Sequence, residues 1–287
     1  MTTTAPAAPA TRPVPRPERY WTEPQRLVVD DVELALRREG SGPPVLYLHG
    51  HWLTRRWLPF HARLAESVDL IAPDHPGFGD TAAPEWLRGR DDVVLFYRRV
   101  LDRLDLRRVH VVGYGLGAWL AADLAIWCPE RVASLSVIAP FGLRVPGEPI
   151  ADVFLLDPAA FGEHYFGGGP VPDDLVPGTG TPAQGGVEEW AQRYGEMGTA
   201  ASLMWARRYD LALERRLPQL GVPALVVDAE HDRVVPPAHA QRWTELLGAR
   251  RTTVPGAAHA LVVSEPERTA DAVAQFVASL ADSEVAP

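Results

Sequence analysis

The sequence predicts an α/β protein with a mostly parallel central sheet, helices on both faces and a helical insertion. Three observations carry that expectation. Short apolar runs without strict alternation recur along the chain, at residues 45–48, 70–72, 109–112, 135–138 and 224–227, as in strands buried on both faces. Helical patterns alternate with them, which is the sequence order of a parallel sheet wrapped by helices. One run, Val109-His110-Val111-Val112, passes straight into a glycine-flanked turn, Gly113-Tyr114-Gly115-Leu116-Gly117, and then into a helix-forming stretch.

Taken in order, the first 22 residues are rich in Pro, Ala and Thr and lack the apolar core of a secretory signal. They are expected to form a disordered leader, unable to bury enough surface to order itself. From Gln25, Leu27-Val28-Val29 and Val32-Glu33-Leu34-Ala35-Leu36 read as two antiparallel strands about the turn Asp30-Asp31. A helix is expected over residues 92–104, with Val93, Tyr97, Val100 and Leu104 on its apolar face and Asp91 or Asp92 as cap. In the helix after the glycine turn, Gly117, Ala121 and Ala125 form a small-residue face suited to close approach to the sheet, and Pro129 ends it. Pro237 opens a later helix that Gly248 closes, and Pro266 opens the last, with Val273, Phe276, Val277 and Leu280 inward.

Residues 146–217 break the alternation. They combine Gly/Pro-rich loops with helix-like runs at 187–194 and 200–213, the pattern of a lid inserted into a core made of residues 23–145 and 218–281. Residues 282–287 form a tail. The segment's aromatics (Phe154, Phe161, Tyr165, Phe166, Trp190, Tyr194, Trp205, Tyr209) suit either an apolar pocket wall or a small core of the lid itself.

Composition bounds the partners. With 28 Lys and Arg against 37 Asp and Glu, the net charge of −9 disfavours nucleic acid and anionic membrane surfaces. The apolar content of 46% is ample for a buried core, and no apolar run approaches the roughly 18–20 residues of a membrane span. The lone cysteine, Cys128, excludes an internal disulfide and fits a reducing cytoplasm. A small-molecule substrate or ligand is expected, with neither cofactor nor metal, and the oligomeric state is not legible.

The motifs occur in an order that resembles the α/β-hydrolase superfamily, from Gln25 to Leu280. His49-Gly50-His51-Trp52 follows the first buried strand, and Asp74-His75-Pro76-Gly77-Phe78-Gly79-Asp80 is similar to that family's D-x-P-G-x-G turn. Gly113 to Gly117 stands where its G-x-S-x-G nucleophile elbow belongs. Ala229-Glu230-His231-Asp232 and Pro255-Gly256-Ala257-Ala258-His259 match the loops of its acid and histidine. Ala139-Pro140-Phe141-Gly142-Leu143-Arg144, leading into the insertion, resembles lidded esterases and carbon–carbon bond hydrolases.

The resemblance implies His259 as general base, oriented by Asp232. It implies an oxyanion hole from the backbone N–H of Leu116 and that of His51 or Trp52, with Tyr114 beside it. Asp74 and Asp80 are expected to form turns, His110 to be structural, and Cys128 to lie far from the chemistry.

The departure is Gly115 at the nucleophile position, where no acyl-enzyme can form. Glycine tolerates the positive φ of such a turn, so the elbow is still expected to fold. Three readings follow. The first is an enzyme in which His259–Asp232 acts as base on a small, mostly apolar carbonyl compound, activating water or abstracting a substrate proton. The second is a non-catalytic ligand-binding protein. The third is a serine hydrolase whose nucleophile has been substituted at 115.

Overall fold

The computed structural model describes residues 19–172, 175, 182–204 and 209–284. Among them an eight-stranded sheet runs in the order β1-β2-β4-β3-β5-β6-β7-β8. Its strands are β1 (Gln25–Val29), β2 (Val32–Glu39), β3 (Pro44–Leu48), β4 (Asp69–Pro73), β5 (Val109–Tyr114), β6 (Val132–Ile138), β7 (Ala224–Ala229) and β8 (Arg250–Val254). The expected hairpin is there, with Leu27 opposite Leu34 and Val29 opposite Val32. β2 also pairs antiparallel with β4, and every pairing from β4 to β8 is parallel.

The helices are α1 (Pro59–Ala65), α2 (Arg90–Arg103), α3 (Leu116–Trp127), α4 (Pro158–Phe166), α5 (Pro182–Met204), α6 (Leu213–Arg216), α7 (Pro237–Leu247), α8 (Leu261–Ser264) and α9 (Pro266–Glu284). None is long and apolar enough to cross a membrane among the described residues. α3 is buried all round from Leu116 to Ala125, as expected of a helix that is apolar on every face. Its approach to the sheet depends on two glycines. A Cβ on Gly117 would lie 1.9 Å from the Leu48 carbonyl oxygen, and one on Gly113 would lie 2.2 Å from the Gly117 carbonyl oxygen.

Several elements differ from expectation for identifiable reasons. Tyr20 to Thr22 are not a free leader: Trp57 N–H donates to the Tyr20 carbonyl at 2.7 Å, and Arg37 donates to that of Thr22. The rest of the leader, to residue 18, lies outside the described residues. Gly89 caps α2, while the Asp92 carboxylate reaches back to the N–H groups of Arg88 and Gly89. The helix-like runs expected at 187–194 and 200–213 are instead one helix, α5, followed after the undescribed residues 205–208 by α6. α9 continues into the expected tail as far as Glu284.

The topology positions a site. The chain leaves β3 for β4, then crosses back to place β5 on the other side of β3. In open α/β sheets such a reversal opens a crevice at the carboxyl ends of the strands. Leu48 pairs with Gly113, so the His49–Trp52 loop and the turn at Gly115 emerge side by side at that crevice.

Candidate active site

Gly115 sits between β5 and α3 with φ 56° and ψ −114°, inside the left-handed range that favours glycine. Unlike its neighbours Gly113 and Gly117, it has room around it. A Cβ at 115 would meet only ordinary contacts: Phe141 Cε2 at 3.8 Å, Gly50 Cα at 3.9 Å and His259 Nε2 at 4.0 Å. The backbone demands glycine on both sides of the turn, whereas at 115 it requires only the tight positive-φ geometry.

His259 reaches the site from the loop after β8, and Asp232 from the loop after β7. Pairing of β7 with β8 brings these loops together, and the His231 N–H donates to the Ala257 carbonyl at 2.9 Å. His259 Nδ1 lies 2.8 Å from Asp232 Oδ2. The other carboxylate oxygen accepts the N–H groups of Val234 and Val235 at 2.8 and 2.7 Å. In the tautomer that donates Nδ1–H to the carboxylate, Nε2 carries the lone pair. That nitrogen is buried and has no hydrogen-bond partner among the described residues.

Aromatic rings fix the imidazole. Phe141 stacks on it at 5.7 Å and 18°, and Tyr165 of α4 meets it edge-on at 4.9 Å. Tyr114, the residue before Gly115, is fully buried and donates its hydroxyl to the His259 carbonyl at 3.1 Å. Leu116 is the first residue of α3, so its N–H has no acceptor within the helix. His51 and Trp52 follow β3 on the neighbouring loop. Trp52 packs against Phe161, Tyr165 and Phe166 at ring separations of 5.2, 4.9 and 6.2 Å. α4, the first of the helices between β6 and β7, is thus seated on the site loops through aromatic contacts. Tyr194 is exposed, and the Trp190 side chain and Trp205 lie outside the described residues.

His110, His49 and His75 have other tasks. His110 Nδ1 meets the Ser134 hydroxyl across β5 and β6. His49 and His75 stack at 3.7 Å, and His49 Nε2 accepts the His75 N–H, bracing the loops after β3 and β4. Burial holds the His49 imidazole down at about 3. Asp74 accepts the N–H groups of Arg55 and Asp80, and Asp80 pairs with Arg55 and Arg37, so both acids shape their turn. His231 is exposed, and Cys128 caps the far end of α3. Among the described residues no group of three or more His, Cys, Asp or Glu is arranged to hold a metal ion.

Residues 45–272 match the family model described as the alpha/beta hydrolase family. The chain belongs to that family. Its curated relatives include rhodomycin D methylesterase from Streptomyces sp. (strain C5), 29% identical over 87% of this chain and 97% of that protein. The acetyltransferase component of the acetoin cleaving system from Cupriavidus necator is 25% identical over 74% of this α/β-hydrolase chain. The match spans 58% of that relative, and other curated relatives are likewise covered only in part, one over 30% of its length. Among solved structures, the meta-cleavage product hydrolase from Pseudomonas fluorescens IP01 superposes with a TM-score of 0.72 at 21% identity, over 89% of this chain and 97% of that one. At that identity the likeness establishes the fold.

Two neighbours of the site were not singled out by sequence. Phe141 is the side chain nearest position 115, and Tyr165 is one aromatic among eight in the inserted segment. Nothing local marks either one, because their contacts are made across the sheet's carboxyl edge.

Proposed function

We propose that this α/β hydrolase is an enzyme acting on a small, mostly apolar carbonyl compound, with His259, oriented by Asp232, as its general base. With no side chain at 115, the base acts on a water, or on a proton the substrate itself carries. The segment between β6 and β7 serves as the lid. The N–H groups of Leu116 and of His51 or Trp52 polarise the carbonyl.

The observation that carries this reading is the buried Nε2 of His259, without a partner among the described residues and 4.0 Å from where a Cβ at 115 would stand. A buried acceptor without a partner is costly and calls for a ligand group to complete it. The Asp232 hydrogen bond supplies the tautomer a base needs. A hydroxyl on that Cβ, as in serine, would come within reach of Nε2, so the same geometry also favours a second reading, a serine hydrolase lacking its nucleophile.

Turnover of short-chain nitrophenyl esters by the wild type, Gly115→Ser, His259→Ala and the double variant separates the two. A gain of about 10³-fold in Gly115→Ser that disappears in the double variant favours the second reading. If Gly115→Ser gains nothing, while the wild type exchanges the α-protons of enolisable carbonyl compounds in deuterated water in a His259-dependent way, the first stands. Wild-type turnover or exchange that survives His259→Ala overturns the first, and a Gly115→Ser gain that survives in the double variant overturns the second.

A further inference from the structure

A second pair of side chains, His51 and Tyr165, carries polar groups near His259 whose hydrogen bonding the packing above does not use. His51 Nε2 lies 2.9 Å from the Tyr165 hydroxyl, which joins the loop after β3 to α4 across 114 residues. His51 Nδ1 is buried and, like His259 Nε2, has no hydrogen-bond partner among the described residues. Both imidazoles flank Phe141, His51 at 5.9 Å and His259 at 5.7 Å, and a carbon of that ring lies 3.8 Å from a Cβ built on Gly115. Tyr165 faces both rings, at 6.1 and 4.9 Å.

Counting protons defines the pair. Burial, reinforced by the neighbouring His259, holds the His51 imidazole down at about 3, so the ring is neutral and carries one N–H. Burial raises the Tyr165 hydroxyl well above its ordinary value, so it keeps its proton. The pair therefore holds two donor protons and spends one on the bond between them. If Tyr165 donates to Nε2, His51 Nδ1–H is left over. If Nε2–H donates to Tyr165, the phenol O–H is left over. In either arrangement one neutral donor remains unsatisfied, close to an unsatisfied acceptor on His259.

We propose that His51 and Tyr165 act together as a side-chain hydrogen-bond donor to the oxygen of a ligand bound over Gly115. The ligand class is one that brings an acidic proton to His259 Nε2 and a carbonyl or oxyanion to the pair: an enolisable carbonyl or hydroxy-carbonyl compound. With Tyr165 donating to His51 Nε2, the His51 Nδ1–H is the group that touches the ligand, and Tyr165 orients the ring from α4. The assignment deepens the proton-transfer reading above, yet it is testable at equilibrium without turnover.

The probes are 4-nitrophenol, which offers an acidic O–H, and 4-nitroanisole, its methyl ether, which offers none. Binding of each to the full-length wild type, His51→Leu, His51→Gln, Tyr165→Phe and His259→Ala is followed by absorbance titration. Circular dichroism confirms that each variant is folded. The wild type is expected to bind the phenol about tenfold or more tightly than the ether, with a visible shift toward the phenolate spectrum. His51→Leu is expected to lose that preference while holding the ether unchanged, and His51→Gln, which keeps a donor, to recover part of it. Tyr165→Phe is expected to fall between, and His259→Ala to lose the phenolate shift. The proposal is overturned if His51→Leu keeps the full preference, if it weakens both probes equally as a mere wall residue would, or if the wild type shows no saturable binding of the phenol. Turnover assays that fail while this preference persists would discard the enzymatic reading and leave the donor pair standing.

Discussion

At residue 115 two costs separate cleanly. A Cβ there meets no neighbour closer than 3.8 Å, so the backbone conformation is what opposes a serine or alanine. Holding a non-glycine residue at φ 56° costs about 1–3 kcal/mol. Gly115→Ser is therefore expected to lower the unfolding free energy in urea by about that amount. Gly115→Ala is expected to match it in stability without the esterase gain, so comparing the two isolates the hydroxyl. Asp232 belongs to the same scale. Its Oδ1 is held by two backbone N–H groups, which leaves Oδ2 to orient His259. In the Gly115→Ser background, Asp232→Asn is expected to abolish the gain of about 10³-fold in ester turnover, since it leaves His259 in the wrong tautomer. Retained turnover there would remove Asp232 from the machinery.

Within the elements, the decisive contact is α3 on β3. The 1.9 Å approach of a hypothetical Gly117 Cβ to the Leu48 carbonyl is against backbone, which cannot rotate away. Gly117→Ala is expected to cost more than about 3 kcal/mol, beyond ordinary overpacking, and to lower Tm well below that of Gly115→Ala. Asp123 on α3 supplies a pH signature. Its carboxylate is buried against Arg90 of α2 at 3.1 Å, and burial, only partly offset by Arg90, pushes it from the ordinary 3.8 up to about 6. An acid whose folded pKa is raised binds its proton more tightly in the folded state. Its contribution is thus fully present below pH 3.8 and is lost as pH rises through about 6. The stability of Asp123→Asn relative to wild type should accordingly rise by about 2 kcal/mol between pH 4 and 7. A flat difference across that range would contradict the assignment.

Across the whole molecule, Arg90 ties the segment between β6 and β7 to the sheet layer. Besides Asp123 it donates to the Leu203 carbonyl at 3.1 Å, approaches Asp210 at 3.8 Å and lies over the Trp119 ring. Glu196 of α5 makes a second anchorage, accepting from Thr54 and from the Gly79 N–H. Removing Arg90 strands a buried carboxylate, so Arg90→Met is expected to cost about 3–5 kcal/mol at neutral pH and less in acid. Hydrogen exchange should quicken first at the end of α5, near Leu203. Equal acceleration throughout the sheet would show instead that Arg90 serves the core alone.

How much of this was legible in the chain divides along physical lines. Parallel strands buried on both faces announce themselves as apolar runs, and Gly113 and Gly117 as obligatory glycines. β8 did not, because four of its five residues, Arg250 to Thr253, are exposed on the sheet edge and carry no apolar signal. The single helix α5 was read as two separate runs, because its Gly and Gln content blurs the apolar period. The order of the loops bearing Gly115, Asp232 and His259 was written in the sequence, because each motif is local and the fold's connectivity returns them to one edge. The meeting of His51 with Tyr165, and of Phe141 with the space at Gly115, was decided only in the tertiary structure. Those contacts join residues up to 114 positions apart, and their partners follow from which strand lies beside which, a choice no stretch of neighbouring residues encodes.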